Sequence, residues 1–209
     1  LKTKLSYNIA MSIGETQSEY CDYQKYIENR PLDRKVVIER VNKEILNSSN
    51  KPVKHYLDNH THIPPWIAVK ALYLGTTINW YKVLPPNIKA NIANSFFIDD
   101  VLEIEEKKEL LLVILNLLHE YRNDIAHGSR TFLSNVSGEL TKTLLLKSVT
   151  PQTLTEDEFS LGIGKKDLFA VLLSIGLLIN DRLVFKHFLY DLNLIFYHYN
   201  DEEILSSKG

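Results

Sequence analysis

Apolar and polar positions along this chain follow the three-and-four spacing of helices almost throughout. The pattern is most regular from Leu110 to Ile125. There Leu110, Ile114, Leu117, Leu118, Tyr121 and Ile125 share one face, and Leu111, Val113 and Leu115 widen the apolar arc until partners are needed on most sides. Glu103, Glu105 and Glu106 stand at its start, where the helix dipole favours anions. Gly128 follows His127 and stops it. The spacing predicts a central helix from about Glu105 to His127.

The flanking elements follow the same logic. Residues 1–17 carry no clear period. Residues 18–29 predict a short helix with Tyr20, Tyr23 and Ile27, broken at Asn29-Arg30-Pro31. Val37, Ile38, Val41 and Ile45 place an amphipathic helix over 32–47, and Pro52 suits the first turn of the next. Pro64-Pro65 opens a segment from Trp66 to about Lys82 that is apolar around most of its circumference, with Gly75 in mid-helix against a close neighbour. Both tryptophans, Trp66 and Trp80, read as core; stacking on a base is the functional alternative. Asn87 to Ser95 gives one short helix. After residue 128 Ser, Thr and Gly accumulate, and Leu140 to Val149 and Phe159 to Ile163 read as strands. Lys142, Lys147, Lys165 and Lys166 make that insert basic, either as a solvated hairpin or as a cover over a site. Asp167 to Ile179 is strongly apolar. Asn180-Asp181 marks a break and a cap, and Arg182 to Tyr199 brings Phe185, Phe188, Leu189, Leu192, Ile195, Phe196 and Tyr199 to the core. The fold class is all-α: a bundle of five or more helices with a small irregular or β insert after the central helix.

Composition narrows the picture without deciding it. With 209 residues, 44% of them hydrophobic, the chain is long enough for one sizeable core. A formal charge of -2 counts against a broad non-specific nucleic-acid surface and leaves room for a local basic groove. The single cysteine, Cys21, reads as packing and makes an internal disulfide framework impossible, so a cytoplasmic setting is the simplest. No apolar run approaches the roughly 20 residues of a membrane helix, and no signal-peptide pattern is present. His55, His60 and His62 cluster without a cysteine, and HxxxxHxH reads as a solvated helix end in preference to a metal site. Neither a metal nor a cofactor is expected.

The polar end of the central helix carries the candidate chemistry. Arg122, Asn123, Asp124 and His127 fall within six residues. Arg122 and His127 are five apart, about 140° around an ideal helix, so they are not a same-face pair. Pairing across a dimer is one way to join them. The spacing occurs twice, and with six arginines and seven histidines chance accounts for less than one match. The second, Arg182 and His187, has an apolar residue after the arginine and reads as coincidence. A helix end where Arg122 makes a salt bridge and His127 meets the dipole is the plain structural alternative.

EYRNDIAH resembles the Arg-x(4–6)-His motif of the HEPN superfamily. Upstream, Ile63-Pro64-Pro65-Trp66-Ile67-Ala68-Val69 followed by Leu74-Gly75-Thr76 resembles the Pro-x-Trp … Phe-Gly-Thr stretch of bacterial abortive-infection (Abi-like) proteins, with Trp80-Tyr81 and Leu84 beyond it. The resemblance covers roughly Tyr56 to Arg130, and more loosely Lys165 to Leu189. It divides the chain into an N-terminal helical region (1–50), an HEPN-like Abi domain (51–200) and a polar tail (201–209). Where the family continues with a second polar residue after the histidine, Gly128-Ser129-Arg130 stands here.

The resemblance implies a helical bundle that dimerises, two motifs meeting in a composite site, and metal-independent RNA cleavage in phage defence. Histidine titrates near neutrality, and arginine offers a fork for phosphate. His127 would move protons, Arg122 would stabilise the phosphate, and Asn123 would orient phosphate or the partner motif. Asp124 would fix a tautomer or cap the helix; Arg130 and Asp124 are the candidate substrate contacts. Two other functions fit the same residues. One is a non-catalytic RNA-binding protein acting with a regulatory RNA. The other is a toxin half held by an antitoxin protein, for which a modified Tyr121 would be a sign.

Overall fold

The computed structural model describes residues 1–97, 101–128 and 136–199. Among them the chain is all α-helical and contains no strand; a single bridge joins Asn29 to Leu32. The helices are α1 (Lys2–Ser12), α2 (Gln17–Tyr20), α3 (Arg34–Leu46), α4 (Lys51–Asn59), α5 (Pro65–Ala68), α6 (Leu74–Val83), α7 (Pro86–Phe96), α8 (Ile104–Ala126), α9 (Lys142–Ser148), α10 (Glu156–Ser160), α11 (Leu168–Leu178) and α12 (Arg182–Tyr199), with a 3-10 turn at Tyr23–Lys25.

The central helix is α8. Glu106 accepts the Glu103 N–H at 3.0 Å, which satisfies one of the donors exposed at its start. Leu110, Leu111, Ile114, Leu115, Leu117 and Tyr121 are buried along it. It packs on α7, α6, α9 and α11. Ile125, expected on the buried face, is 55% exposed, because the last turn of α8 runs past the helices that cover the rest.

Three expectations for the first half give way to contacts from distant residues. Residues 1–17 contain α1, which buries only Leu5, Ser6 and Ile9 and so carries too sparse a pattern to read. It packs on α5 and α7, and Lys2 Nζ donates to the Leu72 carbonyl at 2.6 Å. The helix expected over 18–29 is only α2 and the 3-10 turn. Tyr20 OH donates to Ile63 O at 2.7 Å, Tyr26 OH donates to Tyr20 O at 2.7 Å, and Trp80 Nε1 donates to Tyr26 OH at 3.0 Å. These buried bonds fix Tyr20 and Tyr26 on a bent backbone. The helix expected from Trp66 to Lys82 is two helices, α5 and α6. Glu44 on α3 accepts the Tyr73 N–H at 3.0 Å and the Thr76 hydroxyl at 2.7 Å, so a carboxylate from another helix caps the restart. Trp80 is fully buried, whereas Trp66, on the four-residue α5, is 46% exposed and not a core residue.

The second half departs further. Neither expected strand forms: Lys142–Ser148 is α9 and Glu156–Ser160 is α10. Leu144 and Leu145 are buried while Lys142 and Lys147 reach carboxylates, which is an amphipathic helical arrangement. A Thr155–Glu158 capping box starts α10. Asp181 accepts from Leu183 N at 2.8 Å and Val184 N at 2.9 Å, as its expected capping role requires. Helix α12 is not buried. Phe188 and Leu192 are half-buried, while Phe185, Leu189, Ile195 and Phe196 are exposed. The Phe185 and Phe188 rings close on Gly176 of α11.

Candidate functional site

The end of α8 carries the candidate site. The helix stops because Gly128 adopts φ +76, the left-handed conformation that glycine takes at no steric cost. The His127 N–H donates to Asn123 O at 3.0 Å and the Gly128 N–H donates to Ile125 O at 3.0 Å, closing the last turn. His127 is thus the capping residue and is exposed. Its imidazole makes no hydrogen bond or ion pair among the described residues.

Arg122 is exposed, and its Nη1 donates to Asn123 Oδ1 at 3.2 Å. The other end of the same amide, Nδ2, meets His119 Nε2 at 3.2 Å. Arg122, Asn123 and His119 therefore form one chain of contacts along the helix. His119 is half-buried and lies against α6: a Cβ placed on Gly75 would stand 3.0 Å from His119 Nε2. Burial lowers the His119 pKa below the ordinary 6.5; Arg122 and Lys82 push the same way, and Glu120 opposes them. The two stretches that carry the resemblance, Leu74-Gly75-Thr76 and EYRNDIAH, thus meet in space, with His119 between them. His119 escaped the sequence reading although it stands four residues before Asn123, on the same helical face.

The structure joins Arg122 to Asn123 but makes no direct contact between Arg122 and His127. Burial raises the Tyr121 phenol pKa, and the charges of Asp167 and then Asp124 add to it. Tyr121 itself is buried, and its hydroxyl donates to the Lys166 carbonyl at 2.7 Å. That burial disfavours it as an accessible modification site. Arg130 lies outside the described residues. The second Arg-x4-His pair occupies the first two turns of α12, with Arg182 its first residue, so it lies at a helix N-terminus and not at a C-terminal end like Arg122 and His127.

The chain returns to α8 just beyond the site. Glu120 accepts from Ser137 N at 2.6 Å, Ser137 Oγ at 2.9 Å and Gly138 N at 3.3 Å. Partial burial works against its charge, but these donors and nearby His119 win, and the carboxyl is held below its ordinary range. The lysines of the insert are committed to carboxylates: Lys142 to Glu156 at 2.7 Å, Lys147 to Glu106 at 2.5 Å, and Lys165 and Lys166 to Glu139 at 2.9 and 3.5 Å. They form local pairs, not an open basic surface.

In the other histidine cluster, Tyr56 and His60 stack with ring centroids 4.4 Å apart, and His55 meets His60 edge-on at 5.6 Å. Among the described residues no group of three or more His, Cys, Asp or Glu side chains is arranged to hold a metal ion. None of the described helices is long and apolar enough to cross a membrane. Cys21 is half-buried, and burial pushes its thiol up to about 12.

Residues 1–133 match a protein-family model described as Abi-like protein, a span that takes in α1 to α8. No curated protein and no solved structure matches the chain.

Proposed function

The chain belongs to the Abi-like protein family, and from that premise we propose that it is an abortive-infection effector of the HEPN type that cleaves RNA without a metal. The observation that carries this reading is the end of α8, where an exposed Arg122 guanidinium is held by Asn123 one and a half turns before an exposed His127. No packing requirement accounts for these polar groups together at an exposed helix end.

The chemistry follows from the groups themselves. His127 takes the proton of a ribose 2′-hydroxyl. The 2′-oxygen attacks the adjacent phosphorus, a P–O2′ bond forms, and the P–O5′ bond breaks. Arg122 holds the phosphate oxygens as charge gathers on them. A second His127, from a partner copy, returns a proton to the leaving 5′-oxygen. The products are a 2′,3′-cyclic phosphate and a 5′-hydroxyl. A homodimer meets the geometric need, since Arg122 and His127 of one chain leave α8 in different directions. The exposed apolar residues of α12 support pairing with a second copy.

The test is incubation of purified protein in EDTA with single-stranded RNA and with DNA of the same sequence, beside Arg122→Ala and His127→Ala, with oligomeric state read by sedimentation. The expected outcome is RNA cleavage by a wild-type dimer, intact DNA, and a loss of about 100-fold or more in each variant. Equal cleavage by all three proteins would sink the assignment. RNA binding without cleavage points to the non-catalytic RNA-binding alternative, and co-purification with a second protein points to a toxin held by an antitoxin.

A further inference from the structure

Resting on that reading, we infer that neutral His119 is a positioning residue that sets the Arg122 guanidinium through Asn123, so that protonation of His119 switches the site off. The inference starts from what each group can donate. A guanidinium has donors only, so the Asn123 atom that faces Arg122 Nη1 at 3.2 Å has to be Oδ1. The amide nitrogen then faces His119 Nε2 at 3.2 Å, and it too is a donor. His119 Nε2 must accept, which requires the neutral ring with its proton on Nδ1. A proton on Nε2 leaves two donors facing each other. The amide relieves that clash only by turning over, and turning over presents its NH2 to Arg122. One proton at His119 thereby costs Arg122 its acceptor, while the turned amide oxygen takes the new Nε2–H.

The surroundings favour the accepting state. The groups that face His119 are Arg122 and Glu120 on its own helix and Lys82 on α6; two of these three are cations, and burial adds to their effect. Glu120, the one anion, is occupied by the Ser137 and Gly138 donors. The ring is also held in place from the side. Gly75 lies at the N-terminal turn of α6, and even a methyl group there would stand 3.0 Å from Nε2. Absence of a side chain at 75 lets the imidazole sit where Asn123 can reach it. The helix pair α6–α8 thus carries a small relay from packing to the phosphate-binding guanidinium, and the relay responds to pH in the range where histidine titrates.

The test combines activity with a readout that does not need activity. RNA cleavage in EDTA is measured against pH for wild type, His119→Gln and His119→Leu. Glutamine keeps an acceptor for the Asn123 amide, and leucine does not. The expected result at neutral pH is near wild-type kcat for His119→Gln, and a loss of about tenfold or more in kcat with little change in KM for His119→Leu. Unequal thermal stabilities do not reproduce that kcat-specific split with rescue by glutamine. Equal activity in both variants overturns the inference. In parallel, nitrogen NMR of histidine-labelled full-length protein, wild type and Asn123→Ala, reads the His119 ring directly. The neutral Nδ1–H form at pH 7, with a titration that moves upward when Asn123 is removed, is expected. An Nε2–H ring, or a titration unmoved in Asn123→Ala, overturns the relay. If wild type cleaves no RNA, the ribonuclease reading fails on that ground alone, and the NMR result still decides the His119–Asn123 contact.

Discussion

Asn123 has two polar ends, and both are used. Its oxygen takes an arginine N–H and its nitrogen meets a histidine, which makes it the hinge between an exposed cation and a half-buried ring. The motif residues Arg122, Asn123 and His127 were legible in the sequence because polar groups of that kind are out of place after an apolar helix. His119 was not, since a lone histidine among leucines reads as packing, and only the i, i+4 relation to Asn123 distinguishes it. Gly75 was legible as a point of close approach, though not its partner. Gly75→Ala puts a methyl group against His119 Nε2. It is expected to lower cleavage by about tenfold while the chain remains folded. Circular dichroism beside the RNA assay checks this, and unchanged cleavage would remove the glycine from the relay.

At the level of elements, long periodic helices were legible and their interruptions were not. α3 and α8 lie close to where apolar spacing puts them, because their own residues dictate both face and ends. The division between α5 and α6 depends on Glu44, about thirty residues earlier in the chain, and no local pattern announces it. The short α9 reads as a strand in sequence because Leu144 to Leu146 form a brief apolar run, which fits a strand as readily as a helix. Among the aromatic residues, one substitution at two sites separates a used hydroxyl from an idle one. Tyr26→Phe strands the buried Trp80 N–H and should cost about 1–3 kcal/mol. The buried Tyr81 hydroxyl has no hydrogen-bond partner among the described residues, so Tyr81→Phe should be neutral or stabilising. Urea denaturation of the two variants measures both, and a Tyr26→Phe midpoint equal to wild type would show that the buried chain of hydroxyls contributes nothing.

At the scale of the whole molecule, the family match ends close to where α8 does, and the helices that follow have a different character. α11 and α12 are rich in apolar residues, yet Leu183, Leu189, Leu194, Ile195 and Phe196 on α12 are exposed. The sequence pattern correctly signalled an apolar helix there and wrongly assigned its cover to the chain's own core, since periodicity shows that a face is apolar without showing what covers it. A second copy supplies that cover in the function proposed, and brings a second His127 to the reaction. The most direct measurement of that reaction is the chemistry of the end it leaves. Single-stranded RNA is incubated in EDTA with purified wild-type protein, Arg122→Ala and His127→Ala, and the 3′ ends are identified by mass spectrometry. Cyclic phosphate ends in the wild-type sample, absent from both variants, are the predicted result. Ends carrying a 3′-hydroxyl, or the same cyclic ends at the same rate in all three samples, would contradict it.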